Sequence, residues 1–151
     1  MSQSSRISKE FGALSLSVDR RLVTGSTGEV VPTYTPAPTS FADADDTVTT
    51  AQVKTGMFSM TPTAARTLTL PTATLLSSFL DVVGKTVDIT IVNLGADATS
   101  VVIATGAGGT LVGSSVVRDS NTTTDSDSGS ALFRIRMTNV STPAYTVYRV
   151  C

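Results

Sequence analysis

From Lys85 to Cys151 the chain is a succession of short segments in which apolar side chains recur at every second position. In Thr86–Asn93, Val87, Ile89 and Ile91 alternate with Asp88 and Thr90. Successive Cβ atoms of a strand point to opposite faces, so this period of two predicts a strand with one buried face. The pattern predicts further strands over Thr99–Ala104, Leu111–Val117, Ala131–Thr138 and Ala144–Val150. Turn-forming residues separate them: Asn93-Leu94-Gly95-Ala96-Asp97, the glycines 106, 108 and 109, and a polar loop from Arg118 to Ser130. Short strands at this spacing point to an all-β antiparallel sandwich or barrel.

Composition leads the same way. Thr, Ser and Val dominate, and Thr and Val carry two heavy atoms on Cβ, which suits a pleated strand and penalises a helix. A length of 151 residues makes one domain the natural expectation. A net charge of −1 argues against a general nucleic-acid binder, which needs a basic surface to displace counterions. Only 15% of residues are charged, which fits a surface hidden in an assembly.

Upstream the pattern changes. Met1 to about Val23 is a mixed polar arm in which Leu14, Leu16 and Val18 alternate with Ser15 and Ser17, a strand in need of a partner. Thr24–Asp46 carries Gly25, Gly28, Pro32, Pro36 and Pro38, and prolines lack the amide donor a central strand requires. Residues 1–46 are therefore expected to form an extended N-terminal arm and connector, with the β domain over 47–151. Arg66–Leu70, stopped by Pro71, reads as a short strand. One helix is predicted over Ala73–Val83, with Thr72 at its start, Gly84 at its end, and Leu75, Leu76, Phe79, Leu80 and Val83 at helical spacing. The N-terminus has no charged-then-apolar leader, and no stretch reaches the roughly 18 apolar residues of a membrane span, so neither a secretion address nor a membrane partner is expected.

Catalytic patterns are scarce. Without histidine there is no Ser-His-Asp or Cys-His set and no imidazole ligand or general base. Cys151, the single cysteine, makes neither an internal disulfide nor a thiolate metal site. Asp43, Asp45 and Asp46 cluster as a carboxylate dyad would, but they follow a proline-rich stretch where carboxylates are usually solvated. Gly106-Ala107-Gly108-Gly109-Thr110 lacks the Lys and following helix of a phosphate loop and reads as a tight glycine connection. Asp125-Ser126-Asp127-Ser128-Gly129 sets oxygens at alternate positions, as some calcium loops do, but without the later bidentate Glu. Asn121-Thr122-Thr123 and Asn139-Val140-Ser141 match the glycosylation acceptor pattern, read as chance matches in a Thr/Ser-rich chain. Phe133 shares a strand face with Ile135 and Met137, Tyr145 with Val147, and Tyr148 with Val150; packing is the first expectation for all three aromatics, a subunit contact or sugar platform the second. No catalytic, cofactor-binding or metal residues are assigned.

The second half carries a resemblance. Arg66-Thr67-Leu68-Thr69-Leu70-Pro71, then Val83-Gly84-Lys85-Thr86, Ile89-Thr90-Ile91-Val92-Asn93, Ser128–Ile135 and Ala144-Tyr145-Thr146-Val147-Tyr148-Arg149-Val150 follow one another in order. This stretch, 66–150, resembles the β-sandwich modules of capsid decoration (cement), head-fibre and tail-fibre proteins of tailed phages and large DNA viruses. The resemblance implies a jelly-roll-like sandwich, a homotrimer on the virion surface, attachment through the N-terminal arm, the major capsid protein as partner and no catalytic residues. No shaft repeat precedes the module, which favours a compact decoration protein over a long fibre. The alternative is a receptor-binding tip or short spike whose loops, Ala104–Thr110 and Arg118–Ser130, contact a host-surface glycan.

Overall fold

The structure, a computed structural model, describes residues 36–96, 98–119 and 129–151. The alternating segment at 14–18, most of the proline-rich connector, Asn121, Asp125 and Asp127 lie outside the described residues.

Strands dominate. In chain order they are β1 (Thr39–Phe41), β2 (Asp46–Thr47), β3 (Met57–Met60), β4 (Arg66–Thr69), β5 (Thr86–Asn93), β6 (Ser100–Ala104), β7 (Gly109–Val112), β8 (Val116–Arg118), β9 (Ser130–Asn139) and β10 (Ala144–Arg149). Among the described residues two four-residue helices interrupt them, α1 (Thr50–Val53) and α2 (Ala73–Leu76). The strands form a six-stranded sheet in the order β1-β3-β5-β9-β10-β7 and a four-stranded sheet in the order β2-β4-β6-β8.

From β1 to β8 the chain passes to the other sheet at every connection, odd strands in the larger sheet and even strands in the smaller. Two strands adjacent in one sheet are thus separated by an excursion through the other, and all but β6 and β8, which pair antiparallel, return in the same direction. Five of the eight pairings are accordingly parallel: β1–β3, β3–β5, β7–β10, β2–β4 and β4–β6. The β9–β10 hairpin breaks the rhythm, entering between β5 and β7 with β9 antiparallel to β5 and β10 parallel to β7. The all-β expectation holds; the antiparallel one does not. The sheets are mixed, and their order is not clearly that of a jelly roll. Alternation within a strand is blind to the direction of its neighbour, and the returns through the opposite sheet, which a parallel pair requires, leave no local signal.

One face of each main strand is buried, in the alternating pattern read for β5 and β9 and also in β3, where no strand was expected. Ile89 and Ile91 of β5, Phe133, Ile135 and Met137 of β9, Tyr145 and Val147 of β10, and Phe58 and Met60 of β3 are buried from the larger sheet. Leu68, Val101, Ile103 and Val117 are buried from the smaller, and all belong to one apolar cluster.

Three expected boundaries move. The strand over Leu111–Val117 is two strands in different sheets, because Gly113, at φ +99°, turns the chain between β7 and β8. The expected domain start at 47 falls inside the sheets: β1 pairs with β3, β2 with β4, and Phe41 is buried edge-to-face on Phe58 at 5.4 Å. Pro36 and Pro38 stop short of these strands, so they do not interrupt them. The helix over Ala73–Val83 has only its first turn. Thr72 caps it as expected, its Oγ1 accepting from Leu75 N at 3.4 Å. Ser77 and Ser78 then donate their hydroxyls to the Thr74 and Leu75 carbonyls, the local competition that makes serine a poor interior helix residue. Leu76 and Leu80 are buried and Phe79 partly so, whereas Leu75 and Val83 are exposed. α1 was not anticipated, although Thr49 and Gln52 form a capping box that its Thr-x-x-Gln spacing spells out.

Candidate functional site

The glycine-rich loop sits between β6 and β7 and closes over Tyr145. The buried Tyr145 hydroxyl donates to the Pro71 carbonyl at 3.0 Å and accepts from Gly106 N at 2.9 Å. A methyl at Gly106 would stand 2.5 Å from the Leu70 carbonyl oxygen, and one at Gly109 would stand 2.4 Å from the Tyr145 ring. Glycine is required here by close approach, not by a ligand. Burial pushes the Tyr145 phenol up to about 12, against a smaller downward pull from the Gly106 amide. The loop offered for glycan contact over Ala104–Thr110 is thus tied to the start of α2 and to the last strand. β7 follows the loop directly, where a phosphate loop would need a helix.

The acidic cluster divides its work. The Asp43 carboxylate accepts from Thr63 N at 3.2 Å, from the Thr63 hydroxyl and from Arg66 Nε at 2.6 Å. That arginine, together with Thr63, holds the Asp43 carboxyl well below the ordinary carboxylate range. Asp45 accepts from Thr67 N at 2.8 Å, and Asp46 accepts from Thr47 N at 2.7 Å. Each carboxylate has its own backbone amide; Asp43 and Asp45 pin the β1–β2 connection along β4, whereas Asp46 closes only on its neighbour Thr47. The three are not paired with one another as an acid and a base would be.

Two buried polar residues, Asn93 and Asp119, were not among the expected site residues. Asn93 ends β5; its Oδ1 accepts from Gly95 N at 2.9 Å, and its Nδ2 donates to the Val117 carbonyl at 3.2 Å and the Thr99 carbonyl at 3.4 Å. It thereby ties the larger sheet to β8 of the smaller. The Asn-x-Gly spacing announces the turn but not the cross-sheet reach. Asp119, just past β8, is also buried, and its Oδ2 has no hydrogen-bond partner among the described residues. Among the described residues no group of three or more Cys, Asp or Glu is placed to hold a metal ion.

The remaining candidates lie at the surface. Asn139 is exposed at the end of β9, its Oδ1 accepting from Ser141 N and Thr142 N at 3.0 and 3.2 Å, which folds the hairpin turn. Cys151 is exposed, and its carbonyl accepts from Leu132 N. Phe133 is buried, as packing predicts, while Tyr148 faces outward. On that outer face Tyr148 stands beside Val112 on one side and Arg134 on the other. Arg134 makes a bidentate pair with Asp88, Nε to Oδ1 and Nη2 to Oδ2, both 2.7 Å. The pair holds the Asp88 carboxyl below its ordinary value. The chemistry available here is shape, hydrogen bonding and apolar area on a flat sheet.

No family model matches the chain, and comparison with curated proteins and with solved structures finds no similar protein.

Proposed function

We propose that this chain is a structural virion protein without enzymatic activity, a decoration (cement) module that binds the major capsid protein on the particle surface as a homotrimer. The observation that carries the reading is where the resembling segments fall. Arg66–Pro71, Ile89–Asn93, Ala131–Ile135 and Ala144–Val150 supply β4, β5, β9 and β10 of one shared core, and Tyr145 of the last reaches back to Pro71 of the first. Polar side chains of this unit hold its own connections, as Asp43, Asn93 and Tyr145 do, which suits a rigid module that works by its surface.

The mechanism is mechanical. The residues preceding the β unit lie across neighbouring capsomers and bury apolar area at roughly 25 cal/mol per Å², less the cost of ordering the arm. Engagement of several arms within one oligomer multiplies a weak single contact.

Imaging of purified particles tests this directly. Hundreds of copies over the capsid faces are expected. A few copies at a vertex or tail tip would instead favour a glycan-binding spike, and absence from the particle would end the virion reading.

A further inference from the structure

We infer that the outer face of the six-stranded sheet is a self-association surface, covered by the same face of neighbouring copies of this chain. The register places outward apolar residues side by side. Val112 of β7 pairs with Tyr148 of β10. One row along, Val150 N donates to the Leu132 carbonyl, Leu132 of β9 pairs with Thr90 of β5, and Thr90 pairs with Met57 of β3. Val92 of β5 lies outward in the next row. The six apolar residues are spread over five adjacent strands, with Thr90 between Leu132 and Met57. Val112 and Val150 are 49% and 50% exposed and Tyr148 is 36% exposed, so the β7–β10 end is open in the single chain, while Met57, Val92 and Leu132 are half-buried. An outer sheet face that met only water would carry polar residues at these positions.

Area and charge identify the occupant. The five strands hold 32 residues, between four and ten each; at about 3.3 Å per residue and about 4.8 Å between strands they present roughly 500 Å² of face. Two such faces bury about 1,000 Å², the size at which a specific protein interface begins. The charged residues at outward strand positions are Asp88, Arg134 and Arg136. Asp88 and Arg134 neutralise one another. Arg136 pairs with Thr86, at the end of the face away from the Val150–Leu132–Met57 row. Like faces therefore meet with little like-charge repulsion, whereas a strongly charged partner would find no matching field. Like faces that meet pairwise make a twofold contact between two copies; the inference shares with the proposed function only the premise that copies associate, and association in solution is read without any particle.

The test is light scattering on the full chain across micromolar concentrations, with Val112→Lys/Val150→Lys compared to wild type and to Leu75→Lys. Wild type and Leu75→Lys are expected as the same oligomer. The double variant is expected to shift to monomer mass, its dissociation constant rising about tenfold or more, because two ammonium groups would be desolvated at the contact. Should the double variant fail to fold, Val150→Lys alone, beyond the end of β10, gives the same readout. An oligomer that survives the lysines, or a wild-type chain that stays monomeric throughout the range, overturns the inference. If the variant is monomeric yet still found on particles, the self-association surface stands and the capsid contact lies elsewhere.

Discussion

Tyr145 joins three parts of the chain through one oxygen: its own strand, the Pro71 carbonyl before α2 and the Gly106 amide of the glycine loop. Tyr145→Phe keeps the ring but leaves a buried carbonyl and amide unpaired, so a loss of about 1–3 kcal/mol is expected in chemical denaturation. Gly109→Ala drives a methyl into the same ring at 2.4 Å and should destabilise by about 1–3 kcal/mol as overpacking. The phenol also gives the molecule an alkaline limit. Its pKa rises from the ordinary 10.0 to about 12, so the folded state holds the proton more tightly than the unfolded chain. That stabilisation is complete below pH 10 and is lost as pH climbs from 10 toward 12. Absorbance titration of tyrosinate should show a step near pH 12 that disappears in Tyr145→Phe. The opposite sign applies to Asp43, whose lowered pKa makes its clip on Thr63 and Arg66 fail on the acid side, below the ordinary carboxylate range.

Among the elements, α2 and its continuation give a graded forecast. Leu76 is fully buried and Leu76→Ala should cost about 2–5 kcal/mol. Phe79 packs on the edge of the core with Lys54 over its ring at 4.9 Å, so Phe79→Ala should cost less than Leu76→Ala, about 1–2 kcal/mol. Denaturant melts of the two variants decide the order. The same segment shows what sequence reveals. Leu76 and Leu80 sit at i and i+4 and do share a buried side, but helical spacing cannot register two serine hydroxyls that end the turn early. For strands the within-strand pattern groups the faces: it reads Ile89 and Phe133 as inward, while for the last strand it puts Val147 with Tyr145 without saying which face is buried. Direction and sheet membership depend on which distant strand lies alongside, and this escaped local patterns, as did the split at Gly113. Of the candidate site residues, the glycine loop was legible as a tight connection. Its reason, the Tyr145 hydroxyl 39 positions away in sequence from Gly106, was not.

For the whole molecule, the position of Phe41 decides how much of the chain the fold needs. Residues Thr35–Cys151 form one unit, and a chain beginning at Thr35 should retain a β-type circular dichroism spectrum. A chain beginning at Thr47 removes β1 and with it the edge-to-face partner of Phe58. Truncation of a buried Phe alone costs about 3–5 kcal/mol, so this shorter chain should unfold at far lower denaturant or fail to fold. Particle binding by the chain from Thr35 then separates attachment from folding: loss of binding with the fold intact assigns the anchor to the first 34 residues.

The β9–β10 hairpin bears on how the protein is made. It occupies the middle of the larger sheet, yet it is synthesised after every other described strand. Until it emerges, β5 has an open edge and β7 has no neighbour in its sheet. A nascent chain that has exposed everything through β8 thus carries apolar strand faces with nothing to close them, and the sheet can complete only once β9 and β10 have emerged. Folding in this molecule runs against the order of translation, and a premature stop even shortly before Ser130 removes the centre of the sheet rather than its margin.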